Sequence, residues 1–595
     1  MQRNPNHINN FKLLNNLWRY VPENRRIQFI ISAFLMFIGG LLEVVSLSAV
    51  IPFIGILTSP ERILDITIVA YLANLFSFKE PGDLVLPITI IFVSIAIISG
   101  LFRLFLLYIT TRISYSTGHD LSVMVYKKTL HQPYTVHTSR NTSQIISAIT
   151  IKVGGVVATF IILATLINSI ILASMIIITL FVIDPFISSS ILLSFTVFYL
   201  IASSISSKSL ERNSMSIAID QDKVVKNLQE GLGGIREVLL DNSQQFFAEF
   251  FSKSDKSLKF AQASNYVIGQ SPKFVVEIIA ICAISILAFF LSNTDDGLLN
   301  FLPVIVAMAV ASQRLLPAVQ QGYNAWASIV GSHSSLSDVL ELLEQKDYKD
   351  LEDFAEPMDF KNKLTLKNVE FKYPDSSILV LEGIDIEFKK GEVIGIIGET
   401  GSGKSTLLDL IMGLLEPSKG SISSDDILIN RANVANWKKN IAHVSQDVFL
   451  SDSSFLENIA FGFLKEDISK QKVIEAAKKS EIHDFIMTHE LGYDHNIGEQ
   501  GVKLSGGQRQ RLGIARALFK GCNILALDES TSALDTETEQ KVLKSIENIK
   551  SEVTIFMIAH RHSTLATANS IIELERGKIS RQGTYQEIIL NKNFK

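Results

Sequence analysis

One short glycine-rich segment constrains this chain more than any other stretch. It follows Val393–Ile397, an apolar run that is typical of a buried parallel strand. It precedes Leu407–Ile411, whose residues indicate the first turns of a helix. Strand, glycine-rich turn and helix form the context that a phosphate-binding loop requires. The segment consists of Gly398, Glu399, Thr400, Gly401, Ser402, Gly403, Lys404, Ser405 and Thr406.

The residue types of this segment suit a triphosphate. Glycines let backbone N–H groups approach phosphate oxygens with no Cβ in the way. Lys404 would reach the β- and γ-phosphates, and the Ser405 hydroxyl would be a ligand for Mg²⁺. The alternative is a purely structural glycine turn. Such a turn requires neither the spacing of all the residues in this segment nor a strand before it and a helix after it. We therefore predict that the protein binds a nucleoside triphosphate.

Length and composition indicate several domains, one of them in a membrane. A chain of 595 residues is too long for one hydrophobic core. Mean hydropathy is +0.28, which is high for a soluble protein, and the apolar residues concentrate before residue 330. The net charge of −5 argues against a nucleic-acid partner. The two cysteines, Cys282 and Cys522, form neither a disulfide framework nor a metal cluster, which fits a reducing cytosolic environment.

Six apolar runs are each close to the roughly 20 residues that cross a bilayer. They lie at about residues 27–57, 84–109, 156–183, 186–206, 274–291 and 298–316. The first run is too long for a signal-peptide core and lacks a convincing small-residue cleavage site, so it is predicted to be retained. We therefore predict an all-α, six-helix transmembrane domain over residues 1–340.

The distribution of positive charge predicts the topology. The long segments after the second and fourth runs are rich in Lys and Arg, whereas the turns at Asp184–Pro185 and Asn293–Gly297 have none. Both long segments and both termini are therefore predicted to be cytosolic, in a cell (inner) membrane protein. Residues 61–78 hold a shorter apolar stretch, predicted to be an amphipathic helix in the outer interface. A loop helix packed on protein is the alternative.

The composition changes after residue 340. Residues 341–363 form a charged linker, and residues 364–595 alternate between apolar strands and helices, which predicts an α/β phosphate-loop ATPase domain. Gln446 follows an apolar strand in this domain and offers an amide to Mg²⁺ and the attacking water. Asp528 and Glu529 end another apolar strand of this domain. Asp528 would hold Mg²⁺ through water, and Glu529 would be the general base.

Three further features belong to the same predicted site. Tyr373 precedes the phosphate loop and could stack on adenine. His560 ends a later strand, where it could contact the γ-phosphate, although a lone histidine there is more often structural. A second phosphate-binding surface is predicted at a helix start. It consists of Ser505, Gly506, Gly507 and Gln508.

Leu504–Gln508, placed between the phosphate loop and Asp528–Glu529, resembles the signature of ATP-binding cassette (ABC) transporters. With six preceding spans, the chain resembles a half-transporter of the exporter type over essentially its whole length. The resemblance implies ATP and Mg²⁺ as cofactors. It also implies a homodimer in which each ATP lies between one subunit's phosphate loop and the other's Ser505. Gln500 and Ser530 replace residues that are commoner in the family, but neither change removes a reacting group.

The membrane half is similar to flippases of lipid-linked oligosaccharides. The similarity is carried by Glu43–Phe53, by the outer helix that follows, and by Arg314–Pro317. It implies ATP-driven movement of a lipid-linked oligosaccharide, or another anionic (glyco)lipid, from the cytosolic side.

Four charged residues fall within or beside the apolar runs, namely Glu43, Arg103, Glu277 and Arg314. Such residues are costly in lipid and usually face a cavity or a partner. Arg103 lies about 30 Å down the second run and Arg314 about 24 Å down the sixth, at 1.5 Å per residue. Both are therefore predicted near the cytosolic leaflet, where they would bind an anionic head. The alternative is that they pair with Glu43 and Glu277, or snorkel, for structure alone.

Three functions compete at this stage: an ATP-driven lipid flippase, an exporter of hydrophobic drugs or peptides, and an ATP-gated channel or regulatory membrane protein. The lack of an N-terminal peptidase-like domain argues against peptides, and the intramembrane arginines argue against purely cationic drugs. Intact Glu529, Gln446 and His560 argue against a switch, because a switch needs no hydrolytic base.

Overall fold

The structure is a computed structural model that describes residues 10–49, 53, 85–183, 185–292, 297–346, 356–374, 376–528, 536–549, 553–559 and 561–590. The chain divides into two compact units. One unit comprises residues 1–131 and 140–347, and the other comprises residues 132–139 and 348–595. The predicted outer helix at residues 61–78 lies outside the described residues.

The first unit is helical throughout its described part. In chain order the helices up to residue 343 are α1 (Asn10–Tyr20), α2 (Glu23–Ser48), α3 (Val85–Leu130), α4 (Tyr134–Ser139), α5 (Thr142–Ser147), α6 (Val153–Ile183), α7 (Pro185–Gly233), α8 (Ile235–Leu240), α9 (Gln244–Ser292) and α10 (Gly297–Leu343). A π-helical turn, Ala148–Lys152, joins α5 to α6. Helix α4 belongs to the second unit.

Three segments of the described chain are long and apolar enough to cross a membrane: Glu23–Ser46, Val85–Leu130 and Thr142–Ile178. The fourth, fifth and sixth predicted spans fall inside α7, α9 and α10. Helices α7 and α9 have 49 residues each. At 1.5 Å per residue such a helix is about 70 Å long, whereas a bilayer core is about 30 Å thick. A span of bilayer length within either helix would therefore leave more than half of that helix outside the bilayer core.

A buried cluster holds four helices of this unit together. Leu17 of α1, Leu121 of α3 and Leu336 of α10 are each at most 1% exposed within it, and residues of α6 complete it. Helices α3 and α6 also approach closely at Gly118, where an added Cβ would lie 2.0 Å from the side chain of Val157. Small residues permit this close packing.

The second unit contains two sheets. Its strands are β1 (Lys363–Phe371), β2 (Leu381–Lys389), β3 (Val393–Gly398), β4 (Lys419–Ser424), β5 (Ile427–Leu428), β6 (Ile441–Val444), β7 (Ile524–Asp528), β8 (Thr554–Ile558), β9 (Ser570–Glu575) and β10 (Lys578–Gly583). The smaller sheet has the order β2-β1-β4-β5, and its paired strands are antiparallel. The larger sheet has the order β10-β9-β3-β8-β7-β6, and its strands from β9 to β6 are parallel.

Helices cover this larger sheet and form a separate subdomain. They are α11 (Lys404–Ile411), α12 (Val434–Lys438), α13 (Phe455–Ile459), α14 (Lys470–Lys479), α15 (His483–Met487), α16 (Gly506–Lys520), α17 (Thr536–Ile549), α18 (His562–Leu565) and α19 (Tyr585–Ile588). Strand β8 is buried along its whole length, as expected for a parallel strand covered on both faces. Helices α13 to α16 share their own core around Phe455, Ile486 and Leu512, each 0% exposed. The predicted fold class, an all-α membrane unit followed by an α/β domain, is confirmed.

Candidate nucleotide-binding site

The parallel sheet brings the predicted site residues to one edge. Strand β3 pairs with β8, β8 with β7, and β7 with β6. Because these strands are parallel, their carboxyl ends meet at the same edge, where open α/β sheets bind ligands. The phosphate loop follows β3, Asp528 ends β7, and Gln446 follows β6 by two residues. The tertiary fold thus gathers three segments that lie far apart in the sequence.

The loop between β3 and α11 has the backbone that phosphate binding requires. Gly401 has a φ of +83° and Gly403 a φ of +102°, a conformation that glycine adopts without strain. An added Cβ at Gly398 would lie 2.3 Å from the Leu574 carbonyl oxygen, whereas at Gly401 it would meet nothing within 4 Å. Successive N–H groups in such a turn form an anion-binding concavity. The loop is therefore closed on the protein side and open at Gly401.

Charge and hydroxyl groups line the same loop. The Lys404 ammonium is buried and donates to the carbonyl oxygens of Gly398 at 2.9 Å and Glu399 at 3.0 Å. The hydroxyl of Ser402 is buried with no hydrogen-bond partner. Ser405 is exposed in the first turn of α11, and Thr406 is buried behind it. These donors fit a triphosphate.

The residues also fit Mg²⁺, which is usually held by one or two protein oxygens together with phosphate oxygens. Ser405, Gln446 and Asp528 supply a hydroxyl, an amide and a carboxylate at this sheet edge. Among the residues that the structure describes, no group of three or more His, Cys, Asp and Glu side chains could hold a metal by itself. A Mg²⁺ ion would therefore depend on the nucleotide for most of its ligands.

One acidic neighbour of this site was missed by sequence analysis. Asp409 lies four residues after Ser405 on α11, so the two share a helix face. Burial, together with the smaller effect of the nearby Asp528 carboxylate, raises the pKa of Asp409 to about 6. Asp409 is thus a second carboxylate close to the predicted Mg²⁺ ligand. The four-residue spacing was the sequence signal that could have revealed it.

The predicted second phosphate surface lies at the start of α16. Ser505 is the N-cap of this helix. Its hydroxyl accepts the Gln508 N–H at 3.3 Å, and the Gln508 side chain accepts the Ser505 N–H at 2.8 Å. Ser505 and Gly506 are exposed, whereas Gly507 is buried. The helix N-terminus is therefore open to an anion. Gln500, just before it, adopts a left-handed conformation with a φ of 52°, which is uncommon outside glycine.

Some predicted site residues are only partly defined. The Tyr373 ring is half-buried and packs edge-on against Phe371, with ring centroids 5.0 Å apart. Gln446 is exposed. Glu529 and His560 lie outside the described residues, each one or two positions after the end of β7 or β8. Their roles stay predictions.

The intramembrane charges are partly paired. Arg103 Nη1 lies 3.4 Å from a Glu43 carboxylate oxygen, with the Arg103 side chain 54% exposed and that of Glu43 5% exposed. Glu277 pairs instead with Lys273, at 3.8 Å. The pairing of Arg103 with Glu43 is the one that the structural alternative predicted. The side chain of Arg314 lies outside the described part of the structure.

Fold and site together define a membrane transport ATPase with a helical membrane unit and a phosphate-loop domain. Residues 29–314 match the family described as "ABC transporter transmembrane region", and residues 381–532 match "ABC transporter". The chain belongs to the ABC transporter family and is a half-transporter of the exporter type. The predicted class, an ATP hydrolase coupled to transport, is the class of this family.

Curated relatives include several lipid and glycan transporters. The ATP-dependent lipid A-core flippase of Chromohalobacter salexigens is 34% identical over 393 residues, which cover 64% of this chain and 66% of that protein. The flippase of the same description from Haemophilus influenzae is 32% identical over 386 residues, covering 62% and 64%. A β-(1→2)glucan export ATP-binding/permease protein of Bartonella bacilliformis is 42% identical over 229 residues, covering 38% of each chain. The chain thus aligns with 38–66% of the length of these relatives.

A solved structure of a bacterial Atm1-family ABC exporter with ATP bound has the same fold. The TM-score is 0.78 at 22% sequence identity, and the match covers 95% of this chain and 96% of that one. At this identity the similarity concerns the fold alone.

Proposed function

We propose that this chain works as a homodimeric, ATP-driven flippase of the inner membrane. Its cargo would be a lipid-linked oligosaccharide or another anionic (glyco)lipid taken from the cytosolic leaflet, with both termini and the ATPase domain in the cytosol. The observation that carries the cargo class is Arg103. A guanidinium that is half exposed on a membrane-spanning helix needs a polar partner. The names of the lipid A-core flippases support the same class of cargo.

Arg103 retains donors for a phosphate. Only its Nη1 engages Glu43 in the described contacts, at 3.4–3.5 Å, which is long for a charge-assisted bond. An arginine fork can meet a phosphate through two parallel hydrogen bonds, and a lysine cannot. Arg103 and Arg314 remain our candidates for the head of the substrate, with Arg314 ranked first by its place in the sequence.

The residues at the sheet edge account for hydrolysis in this proposal. Lys404 and the loop N–H groups bind the phosphates. Ser405, Gln446 and Asp528 would hold Mg²⁺, which would supply charge neutralisation at the phosphate oxygens. Gln446 orients the attacking water, Glu529 accepts its proton, and His560 contacts the γ-phosphate. Tyr373 stacks on the adenine.

A second subunit completes each ATP site in the proposal. Ser505 lies at an exposed helix N-terminus, which suits an anion presented by another molecule. The end of the α7–α9 hairpin also exposes large apolar side chains, as expected of a surface that a partner covers. Leu232, Leu240, Phe246 and Phe250 are 54–71% exposed there.

Purified protein in liposomes tests this function. We expect ATPase activity that a lipid-linked, phosphate-bearing glycan stimulates, together with transfer of that lipid between leaflets. Stimulation by hydrophobic cations, with no effect of anionic lipids, would contradict the cargo class.

Substitution of Arg314 tests the predicted cargo contact. Arg314→Ala should reduce lipid-stimulated ATPase and flipping while basal ATPase and thermal stability persist. Arg314→Lys should recover part of the loss. An early-melting Arg314→Ala protein that also loses basal ATPase would show a structural arginine instead. The same comparison applies to Arg103→Ala, with Glu43→Gln as its matched control.

A further inference from the structure

The short segment that contains Gln446 is fixed at both ends. On one side, β6 is paired with β7 up to Val444. On the other side, the Ser451 N–H donates to Asn458 Oδ1 at 3.0 Å, and Asn458 Nδ2 donates to the Ser451 carbonyl at 3.0 Å. Asn458 is 0% exposed, so water does not compete for these bonds. Gln446 therefore lies on a strap, residues 445–450, that spans two fixed points.

Arg516 joins this strap to the helix that begins at Ser505. Its Nη1 donates to the Phe449 carbonyl at 3.0 Å, and its Nε donates to the Asn458 carbonyl at 2.9 Å. The guanidinium carbon also lies 4.7 Å from the ring centroid of Phe461, within cation–π distance. The Arg516 side chain thus holds both Phe449, at the end of the strap, and Asn458, to which the strap is attached.

Helix α16 connects Arg516 rigidly to Ser505. The capping bonds between Ser505 and Gln508 hold the first turn. Arg516 comes eleven positions after Ser505, a rise of about 16 Å at 1.5 Å per residue, and eleven positions are close to three whole turns. The two residues therefore lie on one face of the helix. A shift of Arg516 against the strap would move Ser505 with it.

We propose that Arg516 is a positioning residue that sets the placement of Gln446 and Ser505 relative to each other. This inference rests on the proposed function, in which Gln446 serves the ATP on its own phosphate loop and Ser505 serves the ATP of a second subunit. Arg516 then links the geometry of two ATP sites. It contacts no reacting atom itself.

Arg516→Met tests the proposal, because methionine keeps the apolar stem and removes both hydrogen-bond donors. We expect kcat of ATP hydrolysis to fall about 10- to 100-fold, since misplacing a reacting group by 1 Å has effects of that order. KM for ATP should stay within about threefold, because Lys404 and its loop are untouched. Arg516→Lys keeps a charged donor without the fork and should recover part of kcat.

Arg511 provides a matched control on the same helix. It is 9% exposed and donates to the carbonyls of Gly507 and Glu481, outside the strap. We expect Arg511→Met to lower the thermal midpoint at least as much as Arg516→Met. Hydrogen exchange separates the two variants: Arg516→Met should accelerate exchange in the strap and at residues 505–509, whereas Arg511→Met should leave the strap unchanged.

Two results would overturn the positioning role. One is an Arg516→Met protein with wild-type kcat and wild-type exchange in the strap. The other is a similar set of changes in both variants: a lower kcat, a higher KM for ATP and a lower thermal midpoint, with hydrogen exchange rising throughout the domain. A wild-type protein without ATPase activity would refute the proposed function, and exchange in the strap would still decide the role of Arg516.

Discussion

Glu529 directly follows Asp528 in the sequence, and Asp528 ends β7 at the sheet edge where the phosphate loop also lies. A carboxylate there can accept a proton from water, whereas an amide of the same shape cannot. Two adjacent carboxylates with separate roles are what the proposed hydrolysis requires of this strand end.

Glu529→Gln should therefore keep ATP binding and lose nearly all turnover, by about 100-fold or more, within the range for removing a general base. In the proposed dimer it should also trap the closed state, because hydrolysis would be the step that separates the two ATPase domains. Nucleotide affinity and hydrolysis are measured separately, with Lys404→Ala as the comparison that loses tight phosphate binding. Wild-type turnover in Glu529→Gln would remove this residue from the role of base.

Among the helices, a buried lysine holds three elements together. Lys152 ends the π-helical turn and is 2% exposed. Its Nζ lies 2.6 Å from a carboxylate oxygen of Asp222 on α7 and 2.6 Å from one of Asp338 on α10. Buried charges are tolerated only when they are paired. The turn, α7 and α10 are thus fixed to one another by a single ammonium group.

We expect Lys152→Met to destabilise the protein by roughly 3–5 kcal/mol, because two carboxylates that are only 15% and 20% exposed lose the ammonium group that they share. Adding Asp222→Asn and Asp338→Asn should restore much of that loss, since neutral amides cost less to bury. Thermal unfolding in detergent measures both proteins. A triple variant as unstable as Lys152→Met would show that packing, and not charge, sets the effect.

Two segments interrupt the long helices, namely helix α4 and the turn around Asn242. Helix α4 belongs to the second unit. There, burial raises the pKa of Tyr134, and Asp409 and Tyr373 of the same unit raise it further. The other segment lies around Asn242, between α8 and α9, where the Phe246 and Phe247 rings are in contact at 5.4 Å.

We expect Tyr134→Ala, Phe246→Ala and Phe247→Ala to lower the amount of lipid moved per ATP hydrolysed, because these segments would carry motion between the ATPase and the membrane helices. Transport and hydrolysis are measured on the same liposomes. Unchanged transport per ATP in all three variants would favour solvated loops with one partly buried aromatic.

For the whole molecule, the proposed dimer makes a prediction about mixed subunits. A Lys404→Ala subunit and a Ser505→Arg subunit are each inactive as homodimers in this arrangement. Paired together they rebuild one intact site, from the loop of one and the serine of the other. A subunit that carries both substitutions, paired with a wild-type subunit, forms no intact site.

We therefore expect ATPase activity in the Lys404→Ala and Ser505→Arg mixture, purified through a different tag on each subunit, well above that of either homodimer. The mixture of double variant and wild type, purified in the same way, is the control with both sites damaged. Equal activity in the two mixtures would mean that each subunit works alone.

Much of this molecule follows from local features of the sequence. Apolar runs of bilayer length, a glycine-rich turn between strand and helix, and carboxylates at a strand end are each defined by neighbouring residues. They predict the all-α membrane unit and the α/β domain, and the resemblance carried by Leu504–Gln508 implies the family; all three are confirmed. Glu529, His560 and the substrate contacts of Arg314 stay predictions.

Only the tertiary structure decided which distant side chains meet. Asp409 comes close to Asp528, Lys152 bridges Asp222 and Asp338, and Arg516 donates to two carbonyls beyond residue 448. These partners lie 58–186 residues apart where the bonds are direct. Periodicity and spacing report which face of an element is apolar. They do not report which polar group crosses to another element, because that depends on how the elements pack.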